Sequence, residues 1–588
     1  MKFSRELLLV ALVILCHGMT GLADDDDRWW PIQKLPAGVM RTRERGLSTS
    51  EQMLAQSVAG LTAKSVNQST GDEMVWVSIN HDDIETWFKL WLKRNSSVES
   101  RGELGLWELV DRYAQRGLIK GYILYSPDNS EGQLNDHRKS LNNSVNVATS
   151  LAGLLDGVLI DESLEPEAKK HGLTLLMDSR DKSLTWCFET YRDRFNRRML
   201  CMQDPKKPHV RDLAIAQQAF SMFGPDEPLE AALKWLEPLS PILGWNGGDE
   251  FETTRLSTVY GHIQTATDWC TNLPVLMAGA EKQSPTISKP TFDPTKIDFQ
   301  NRKNSVSFVI TDGDNVQWLQ TSFAHAQSYY WDNPDRGKIP FGWSCCYAQL
   351  AQLCPSIIEY LNETRKGNDA MIEWGGGYYY PDLFGKARPN PEELLARHAR
   401  RTWKLMQKTG TRVIGFNVAK VNSPESQKAY ETFARETDDL ASILVFQYAP
   451  YEGGAGAVFW PKDHRGVEIP VISARYSIWE HTNSRDRSGT PAKVAREVLD
   501  VAAKKETRND WVVVHAWSYF RRVPGSDESA EDMSQENAHL AGGVRGYSPA
   551  LWCAERLGLN INVVTPEELS WRVRMNHDPK TTTQLLKR

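Results

Sequence analysis

Two aspartates stand two positions apart in the segment ITDGDNVQW, directly after an apolar run. In an extended strand end, side chains at positions i and i+2 project to the same side, so Asp312 and Asp314 would lie close together. Two close carboxyl groups raise each other's proton affinity, which suits an acid/base pair or a divalent cation site. Asp-Gly and Asp-Asn are also ordinary turn sequences, and an aspartate before a helix caps it. The position after an apolar strand favours a functional role for the pair.

A second segment with unusual chemistry is EWGGGYYYPDLFG, which begins at Glu373 and joins this acid to three glycines and three tyrosines. Glycine permits positive φ and close approach of the backbone to a ligand, so Gly375 and Gly377 predict a sharp turn. Tyr378 and Tyr380 would offer phenol faces and hydroxyls to a sugar ring. A phosphate-binding loop is disfavoured because no Gly-Lys-Ser/Thr sequence follows.

The elements that must position these segments form a repeating strand and helix pattern in the second half of the chain. Amphipathic helices, clearest at 391–408 and 491–505, separate apolar runs of strand length. Eight strands with intervening helices predict a (β/α)8 barrel, in a region near the usual size for that fold. The pattern is weakest at 458–480, where no convincing helix is present. The predicted strands are 306–311, 340–344, 369–373, 412–417, 442–448, 469–474, 511–515 and 561–564.

Residues that follow barrel strands are the candidates for chemistry, because TIM-barrel enzymes place their active sites at the carboxyl ends of the strands. Carboxylates, amides and aromatic side chains dominate this set. Sugar processing requires this mixture: carboxyl groups for proton transfer, amides and arginine for hydroxyls, and aromatic platforms for ring faces. In addition to the residues of the glycine and tyrosine segment, the substrate-binding candidates in this half are Asn315, Trp343, Asn417, Glu452, Arg475, His515 and Trp517.

The first half of the chain, to about residue 280, alternates strands and helices and predicts an N-terminal α/β domain. Its strand-like runs are 74–79, 121–125, 157–160 and 173–177. The polar segment 281–296 contains three prolines and predicts a linker, so the domains are expected at 24–280 and 297–588. Asp249 and Glu250 would either cap a helix, the commoner fate of an acidic pair, or reach the mouth of the barrel.

The N-terminus predicts export to a secreted or periplasmic location. Residues 1–23 combine two basic residues with an apolar run between Leu7 and Leu15 and end in a small-residue cleavage site at Ala23, the pattern of a signal peptide. No later run is long enough to span a membrane. The mature chain keeps an odd number of cysteines without CxxC spacing, which disfavours a thiolate zinc site. The net charge of −6 gives no broad basic surface for nucleic acid.

The glycine and tyrosine segment also carries a family resemblance. GGGYYYPD at 375–382 contains Gly-x-Gly-Tyr-x-Tyr-Pro and resembles the signature of the GxGYxYP family, whose mostly exported bacterial members are assigned to glycoside hydrolysis by inference. The resemblance spans about residues 70–570 and implies an N-terminal α/β domain followed by a TIM-barrel-like domain of glycosidase type. Similar stretches are VATSLAGLLDGVLIDESLE at 147–165, LGWNGGDEFE at 243–252, TATDWCTNLPVL at 265–276, TDGDNVQW at 311–318 and FGWSCCYAQLAQLCPSIIEY at 341–360.

The leading hypothesis is an exported glycoside hydrolase that acts on a carbohydrate by a two-carboxylate mechanism without a metal or cofactor. Glu373 is assigned as the acid that protonates the glycosidic oxygen. Asp314 is assigned as nucleophile or base, and Asp312 as the residue that orients Asp314 or tunes its pKa. The other candidates are assigned to sugar binding.

Other classes stay open. A noncatalytic carbohydrate-binding or surface-scaffold protein would keep the aromatic platform, and its binding would survive the loss of each acidic residue. A metal-dependent hydrolase of deacetylase type would use Asp312, Asp314 and His515, although the chain has no HxxxH pair. A lyase is a further alternative, and the sequence carries no signal of oligomeric state.

Overall fold

The computed structural model shows a mixed α/β fold with several parallel sheets. It describes residues 28–128, 141–225, 228–280, 292–325, 328–482, 484–504, 507–522, 530–532 and 542–587. The predicted signal peptide and most of the predicted linker, residues 281–291, lie outside the described residues. In the described part of the chain, no helix combines the length and the apolar character that crossing a membrane requires.

The regular elements are numbered here in chain order. The strands are β1 Gly38–Arg43, β2 Glu73–Ser78, β3 Glu99–Glu103, β4 Gly121–Tyr125, β5 Gly157–Asp161, β6 Leu175–Asp178, β7 Leu200–Met202, β8 Phe220–Met222, β9 Pro241–Gly244, β10 Ile263–Thr265, β11 Ser305–Ile310, β12 Phe341–Cys345, β13 Asp369–Trp374, β14 Val413–Val418, β15 Ser442–Gln447, β16 Val458–Phe459, β17 Val471–Ser473, β18 Tyr476–Ile478, β19 Ser488–Gly489, β20 Asn509–Val514, β21 Phe520–Arg522, β22 Ala530–Asp532 and β23 Asn562–Val563. The α-helices are α1 Thr49–Gln68, α2 Asp82–Arg94, α3 Leu106–Gln115, α4 Ser144–Leu155, α5 Glu165–Lys170, α6 Leu184–Tyr191, α7 Arg211–Ala216, α8 Leu229–Trp235, α9 Glu250–Val259, α10 Leu273–Met277, α11 Val316–Thr321, α12 Tyr347–Leu353, α13 Pro355–Thr364, α14 Pro391–Thr409, α15 Pro424–Glu436, α16 Pro491–Ala503, α17 Tyr547–Leu557, α18 Pro566–His577 and α19 Pro579–Leu585.

The N-terminal half contains three small parallel sheets with the strand orders β2-β1-β3, β5-β4-β6 and β10-β9-β7-β8. In the second and third sheets the central strands β4, β7 and β9 are short apolar runs and are buried. Helix α1, which begins with a capping box of Ser48 and Glu51, packs closely on α7. A Cβ added at Gly60 of α1 would stand 2.7 Å from Ile215 Cβ of α7, so the small residue permits this contact. The same helix also packs on β2 of the first sheet and on β5 of the second.

The C-terminal half is built on one curled sheet with the order β16-β17-β15-β14-β13-β12-β11-β20-β18-β19, and β23 pairs with β11. The pairs in it are parallel except for β16 with β17. The eight predicted strands correspond to β11, β12, β13, β14, β15, β17, β20 and β23. The segment 458–480, which lacks a helical pattern, contributes the short strands β16, β17 and β18.

The last predicted strand takes an unexpected position. β23 has two residues and pairs with the start of β11, on the edge that β12 also uses, while β20 pairs along the whole of the other edge. In a regular (β/α)8 barrel the eighth strand lies between the first and the seventh. Here β20 occupies the place beside β11 because its six residues match all six residues of that strand in register.

The halves of the chain meet through the glycine and tyrosine segment. Gln264 of β10 and Tyr378 form an antiparallel bridge, with N to O distances of 3.0 and 2.9 Å in the two directions. This bridge places the loops after β9 and β10 of the third sheet beside the carboxyl ends of β11 and β13. Any site at those strand ends therefore has walls from both halves.

Candidate active site

A cavity of about 320 Å³ lies at the carboxyl ends of the strands of the large sheet. Its volume falls at the lower end of the range for small-molecule sites. Residues at or just after the carboxyl ends of β11, β13, β14, β15 and β20 form one wall, and residues after β9 and β10 form the other. The lining residues are Trp245, Gly248, Glu250, Ala266, Asp268, Thr311, Asp312, Asp314, Asn315, Gln317, Trp374, Tyr378, Asn417, Phe446, Tyr451 and Trp517.

Asp312 is held in a fixed orientation at the end of β11. The indole Nε1 of Trp517 donates a hydrogen bond of 2.7 Å to its Oδ1, and the Thr311 hydroxyl donates to its Oδ2. Asp312 has a φ of 65°, in the left-handed region that aspartate tolerates better than most residues. Its backbone oxygen accepts from Asn315 N at 3.0 Å, so the segment is a turn and a cavity wall at once.

The turn after β11 depends on Gly313 and Asn315. A Cβ at position 313 would stand 2.4 Å from the carbonyl carbon of Ser344, which leaves room only for glycine beside β12. Asn315 caps α11, because its Oδ1 accepts from the backbone N of Trp318 at 3.1 Å. Both interactions fix the two aspartates relative to the sheet.

Asp314 is buried at the cavity wall, and no other side chain of the described residues donates a hydrogen bond to it. Burial raises its pKa well above the ordinary value of 3.8, and the nearby charges of Asp312 and Glu250 raise this pKa further. Burial also raises the pKa of Glu250, against the hydrogen bond that it accepts from the Tyr378 hydroxyl. Asp268, Asp312, Asp314 and Glu250 all line the cavity, and burial raises the pKa of two of these four carboxyl groups.

Glu250 and its neighbour Asp249 have different roles, although both are substrate-binding candidates. Asp249 is the N-cap of α9 and accepts from the backbone N of Glu252 at 3.1 Å. It lines a second cavity of about 310 Å³ on the far side of the loop. Glu250, the first residue of the helix, lies in the wall of the cavity that contains Asp312 and Asp314. One member of the acidic pair thus caps the helix, while the other reaches the strand ends.

Aromatic side chains form much of the cavity wall. The rings of Trp245 and Tyr378 are stacked at an interplanar angle of 15°, with 6.0 Å between their centroids. Trp374 stacks on Phe446 with 5.2 Å between the ring centroids. Rings of this size beside carboxyl groups match what a sugar requires, because apolar ring faces need a platform and hydroxyls need polar partners.

Glu373, assigned from the sequence as the proton donor, does not line the cavity. It is fully buried, its Oε1 accepts from Gly376 N at 2.9 Å, and its Oε2 accepts from Ala348 N at 2.9 Å. Burial raises its pKa to about 8, against the effect of these backbone hydrogen bonds. A general acid must come within hydrogen-bond reach of the substrate. The geometry instead makes Glu373 the residue that ties the glycine turn to the start of α12.

The glycine turn has the predicted backbone conformation but a different neighbour. Gly375, Gly376 and Gly377 have φ values of 65°, 79° and 127°. A Cβ at Gly377 would stand 2.4 Å from Ile263 Cγ2 of β10, so the close approach is to the third sheet and not to a ligand. The turn presents Trp374 and Tyr378 to the cavity, and Gly375 and Gly377 lie outside the lining.

Five further candidates lie outside the cavity wall, and their contacts show why. Trp343 is buried in the core, where its Nε1 donates to Asp369 Oδ1 at 2.9 Å. Arg475 pairs with Asp510 at 2.8 Å, next to the start of β20. The remaining three are Tyr380, Glu452 and His515. The ring of Tyr380 lies 5.0 Å from that of Phe251, and Glu452 is buried. His515 Nδ1 lies 2.6 Å from Ser518 Oγ, and burial lowers the pKa of His515 to about 4.

Several lining residues were missed by sequence reasoning. Trp245 and Asp268 follow β9 and β10, strands of four and three residues that are too short to give a clear apolar period. The stretches LGWNGGDEFE and TATDWCTNLPVL, which resemble the family, contain both residues and would have identified them. Trp374 stands one position after the named candidate Glu373, whereas Tyr451, which follows β15, is among the strand-end residues that the sequence pattern indicates.

A metal site is not evident at these residues. Among the residues that the structure describes, no group of three or more histidine, cysteine, aspartate or glutamate side chains has an arrangement that would hold a metal ion. The seven cysteines in the described ranges are unpaired and buried.

Comparisons with known proteins agree with the division into sheets. The model "GxGYxYP putative glycoside hydrolase C-terminal domain" matches residues 302–574, which contain the curled sheet. The models "GxGYxYP_N second domain" and "GxGYxYP third domain" match residues 119–195 and 196–278, which contain the second and third small sheets. No curated protein matches the chain.

A solved structure has the same fold. It is described as the crystal structure of a putative hydrolase from Bacteroides thetaiotaomicron VPI-5482. The two share 22% sequence identity with a TM-score of 0.74, over 93% of this chain and 97% of that chain. At this identity the similarity shows a common fold. From the family models that match along its length, the protein is a member of the GxGYxYP family.

Proposed function

We propose that the protein is a glycoside hydrolase whose active site is the cavity between the curled sheet and the third small sheet. The single observation that carries the proposal is the grouping of Asp312, Asp314 and Glu250 with stacked aromatic rings in one cavity of sugar size. Glycosidases require two carboxyl groups of different protonation state at the scissile bond. Membership of the family supports the same reaction class.

The cavity suggests a different distribution of roles from the one that the sequence alone indicates. Asp314 is the proposed proton donor, because burial and the neighbouring carboxyl groups raise its pKa, which is the direction that a general acid requires. Asp312 is the proposed nucleophile or base, because Trp517 and Thr311 donate hydrogen bonds to its two oxygens and hold its carboxyl group in a fixed orientation at the cavity. Glu250 is a further carboxyl group of the cavity, oriented by the hydroxyl of Tyr378, and its proximity contributes to the raised pKa of Asp314.

We also propose that the curled sheet forms a TIM-barrel-like domain. β17 and β18 are separated by only two residues, yet β17 pairs with β15 and β18 pairs with β20. One continuous segment thus joins two distant positions in the order of the sheet, which is what closure of a barrel requires. Export through the predicted signal peptide belongs to the same proposal and accords with a polysaccharide or oligosaccharide substrate outside the cytoplasm.

The test is release of sugar from a panel of polysaccharides and oligosaccharides by the mature chain, residues 24–588. The proposal expects new reducing ends from one class of glycan, loss of this release in Asp314→Asn, and no effect of EDTA. Tight binding of a glycan without release would favour the noncatalytic binding protein. Loss of release with EDTA would favour a metal-dependent hydrolase.

A further inference from the structure

Two buried hydrogen-bond acceptors on the cavity wall have no donor among the described residues. Asn417 Oδ1 and Asp268 Oδ1 are buried, and neither has a hydrogen-bond partner in the described part of the chain. Both side chains line the cavity and are more than nine-tenths buried. Unsatisfied buried acceptors are rare in proteins because their lost hydration is not replaced. A ligand that carries O–H or N–H groups would supply the missing donors.

Three of the four acidic side chains on the cavity wall have no cationic partner in the described part of the chain. In the part of the chain that the structure describes, no lysine, arginine or histidine lines the cavity. Asp312, Asp314 and Glu250 form no ion pair with a basic residue in the described part of the chain. Asp268 differs from them, because Lys207 Nζ binds its Oδ2 and lies 4.2 Å from the centre of the Trp269 ring. Lys207, the cation near the cavity, is therefore already paired with Asp268 of the wall.

On the basis of the proposed function, we infer that the cavity selects a hexose or amino-hexose unit without an acidic substituent, and that Asp268 is a specificity-determining residue. The hydroxyl or amino groups of such a unit donate to Asn417 and Asp268. A uronate or sulfate would stand against carboxyl groups without a cation to receive it, and like charges brought together at a site oppose binding. Asp268 adds to this selection because its carboxylate pairs with Lys207, whose positive charge would otherwise attract an acidic substituent.

The cavity volume is consistent with a ligand of this kind. About 320 Å³ is close to the lower bound for small-molecule sites and suits one sugar residue with part of its neighbour. The selection is therefore made on the substituents of a single residue, which allows monosaccharide probes to test it.

The first experiment measures the binding of methyl glycosides of matched stereochemistry by calorimetry. The probes are the hexosides, 2-amino-hexosides and hexuronides of the gluco, galacto and manno series. At least one hexoside or amino-hexoside is expected to bind at least about tenfold more tightly than its uronide. Equal or tighter binding of the uronide would overturn the inference, as would the failure of every probe to bind.

The second experiment changes the proposed specificity residue. Asp268→Asn leaves the charge of Lys207 uncompensated, so the preference over the uronide is expected to fall about tenfold. Lys207→Met, which removes the cation and keeps the acid, is expected to increase the preference. Glu252→Gln serves as the control, because Glu252 is outside this cavity and pairs with Arg255 at 2.8 Å. An unchanged preference in both Asp268→Asn and Lys207→Met, with circular dichroism showing folded proteins, would overturn the role of Asp268.

Hydrolysis of the corresponding p-nitrophenyl glycosides separates this inference from the proposed function. Selective binding of the non-acidic probes without any hydrolysis would support the inference and contradict the glycosidase proposal. Preferred hydrolysis of uronides would contradict the inference and support the glycosidase proposal.

Discussion

Two strand ends of the curled sheet, residues 311–315 after β11 and residues 373–380 at the end of β13, both combine acidic residues with glycine and use them differently. After β11, the carboxyl groups of Asp312 and Asp314 stand at the cavity. At the end of β13, Glu373 is turned into the protein, where two backbone N–H groups donate hydrogen bonds to its oxygens. A carboxyl group that satisfies buried N–H groups is not available to a substrate. The comparison shows that the partners of a strand-end acid, and not its position alone, decide whether it can act in catalysis.

The glycines of the two segments show the same contrast. Gly313 lets the β11 turn pass close to the backbone of β12 and leaves its aspartates at the cavity. The glycines after β13 let the chain dock on β10, and this docking carries Trp374 and Tyr378 to the cavity wall. The first segment contributes the proposed chemistry, and the second contributes the wall and the contact between the two halves of the chain.

The largest effect is expected for Asp312→Asn, which removes a proposed reacting group from the first segment. Asparagine tolerates the left-handed backbone conformation at this position, so the turn is kept. The value of kcat/KM on the substrate that the panel identifies is expected to fall about 10³-fold, within the range for loss of acid/base or nucleophilic groups. A fall of less than tenfold in a folded variant would place the chemistry elsewhere.

A large effect on stability is expected for Gly377→Ala in the second segment. The position has a φ of 127°, and the new Cβ would stand 2.4 Å from Ile263 Cγ2. Strain and overpacking together are expected to lower the free energy of unfolding by about 3 kcal/mol, measured in urea. Gly367→Ala is the control, because a Cβ at Gly367 meets no atom within 4 Å. Equal stabilities of the two variants would contradict the docking role of the turn.

A moderate effect on activity is expected for Trp517→Phe. This change keeps an aromatic ring at the wall and removes the indole donor that lies 2.7 Å from Asp312. Loss of one hydrogen bond to a charged group predicts a fall in kcat/KM of about tenfold. Trp343→Phe is the matched control, because Trp343 lies in the core and donates a hydrogen bond to Asp369. Losing that bond is expected to lower the stability of the protein and to leave kcat/KM unchanged. The reverse pattern would show that Trp343 and not Trp517 serves the site.

The smallest effect concerns the pH dependence of stability and sharpens the assignment of Glu373. Burial raises its pKa from the ordinary value of 4.5 to about 8, so the folded protein holds a proton that the unfolded chain releases above about pH 4.5. This contribution to stability is present below about pH 4.5 and is lost as the pH rises toward about 8. Glu373→Gln is therefore expected to flatten the decline in urea stability between pH 5 and pH 8. Glu252→Gln, at an exposed position, is expected to leave the slope of urea stability against pH unchanged. Equal slopes in the wild type, Glu373→Gln and Glu252→Gln would show that Glu373 does not titrate in this way.

Much of the fold could be predicted from the sequence because buried parallel strands give continuous apolar runs, as in β11 and β20. The position of β23 could not, since a strand of two residues carries no pattern and its pairing depends on which edge of β11 is free. The Asp312 and Asp314 segment was recognisable from its place after such a run. The partners of Glu373 come from α12 and from the glycine turn, contacts that exist only in the folded chain. For the same reason, Trp245 and Asp268, which come from another sheet, could not be joined to the site by spacing.

The most direct test of the account compares Asp314→Asn with Glu373→Gln in hydrolysis of the same substrate, with rates normalised to the folded fraction of each protein. The account predicts that kcat/KM falls at least about 100-fold in Asp314→Asn, because the proposed proton donor is lost. It predicts a change of no more than a few fold in Glu373→Gln, because that carboxyl group bonds to the backbone outside the cavity. A loss in Glu373→Gln as large as the loss in Asp314→Asn would contradict the account.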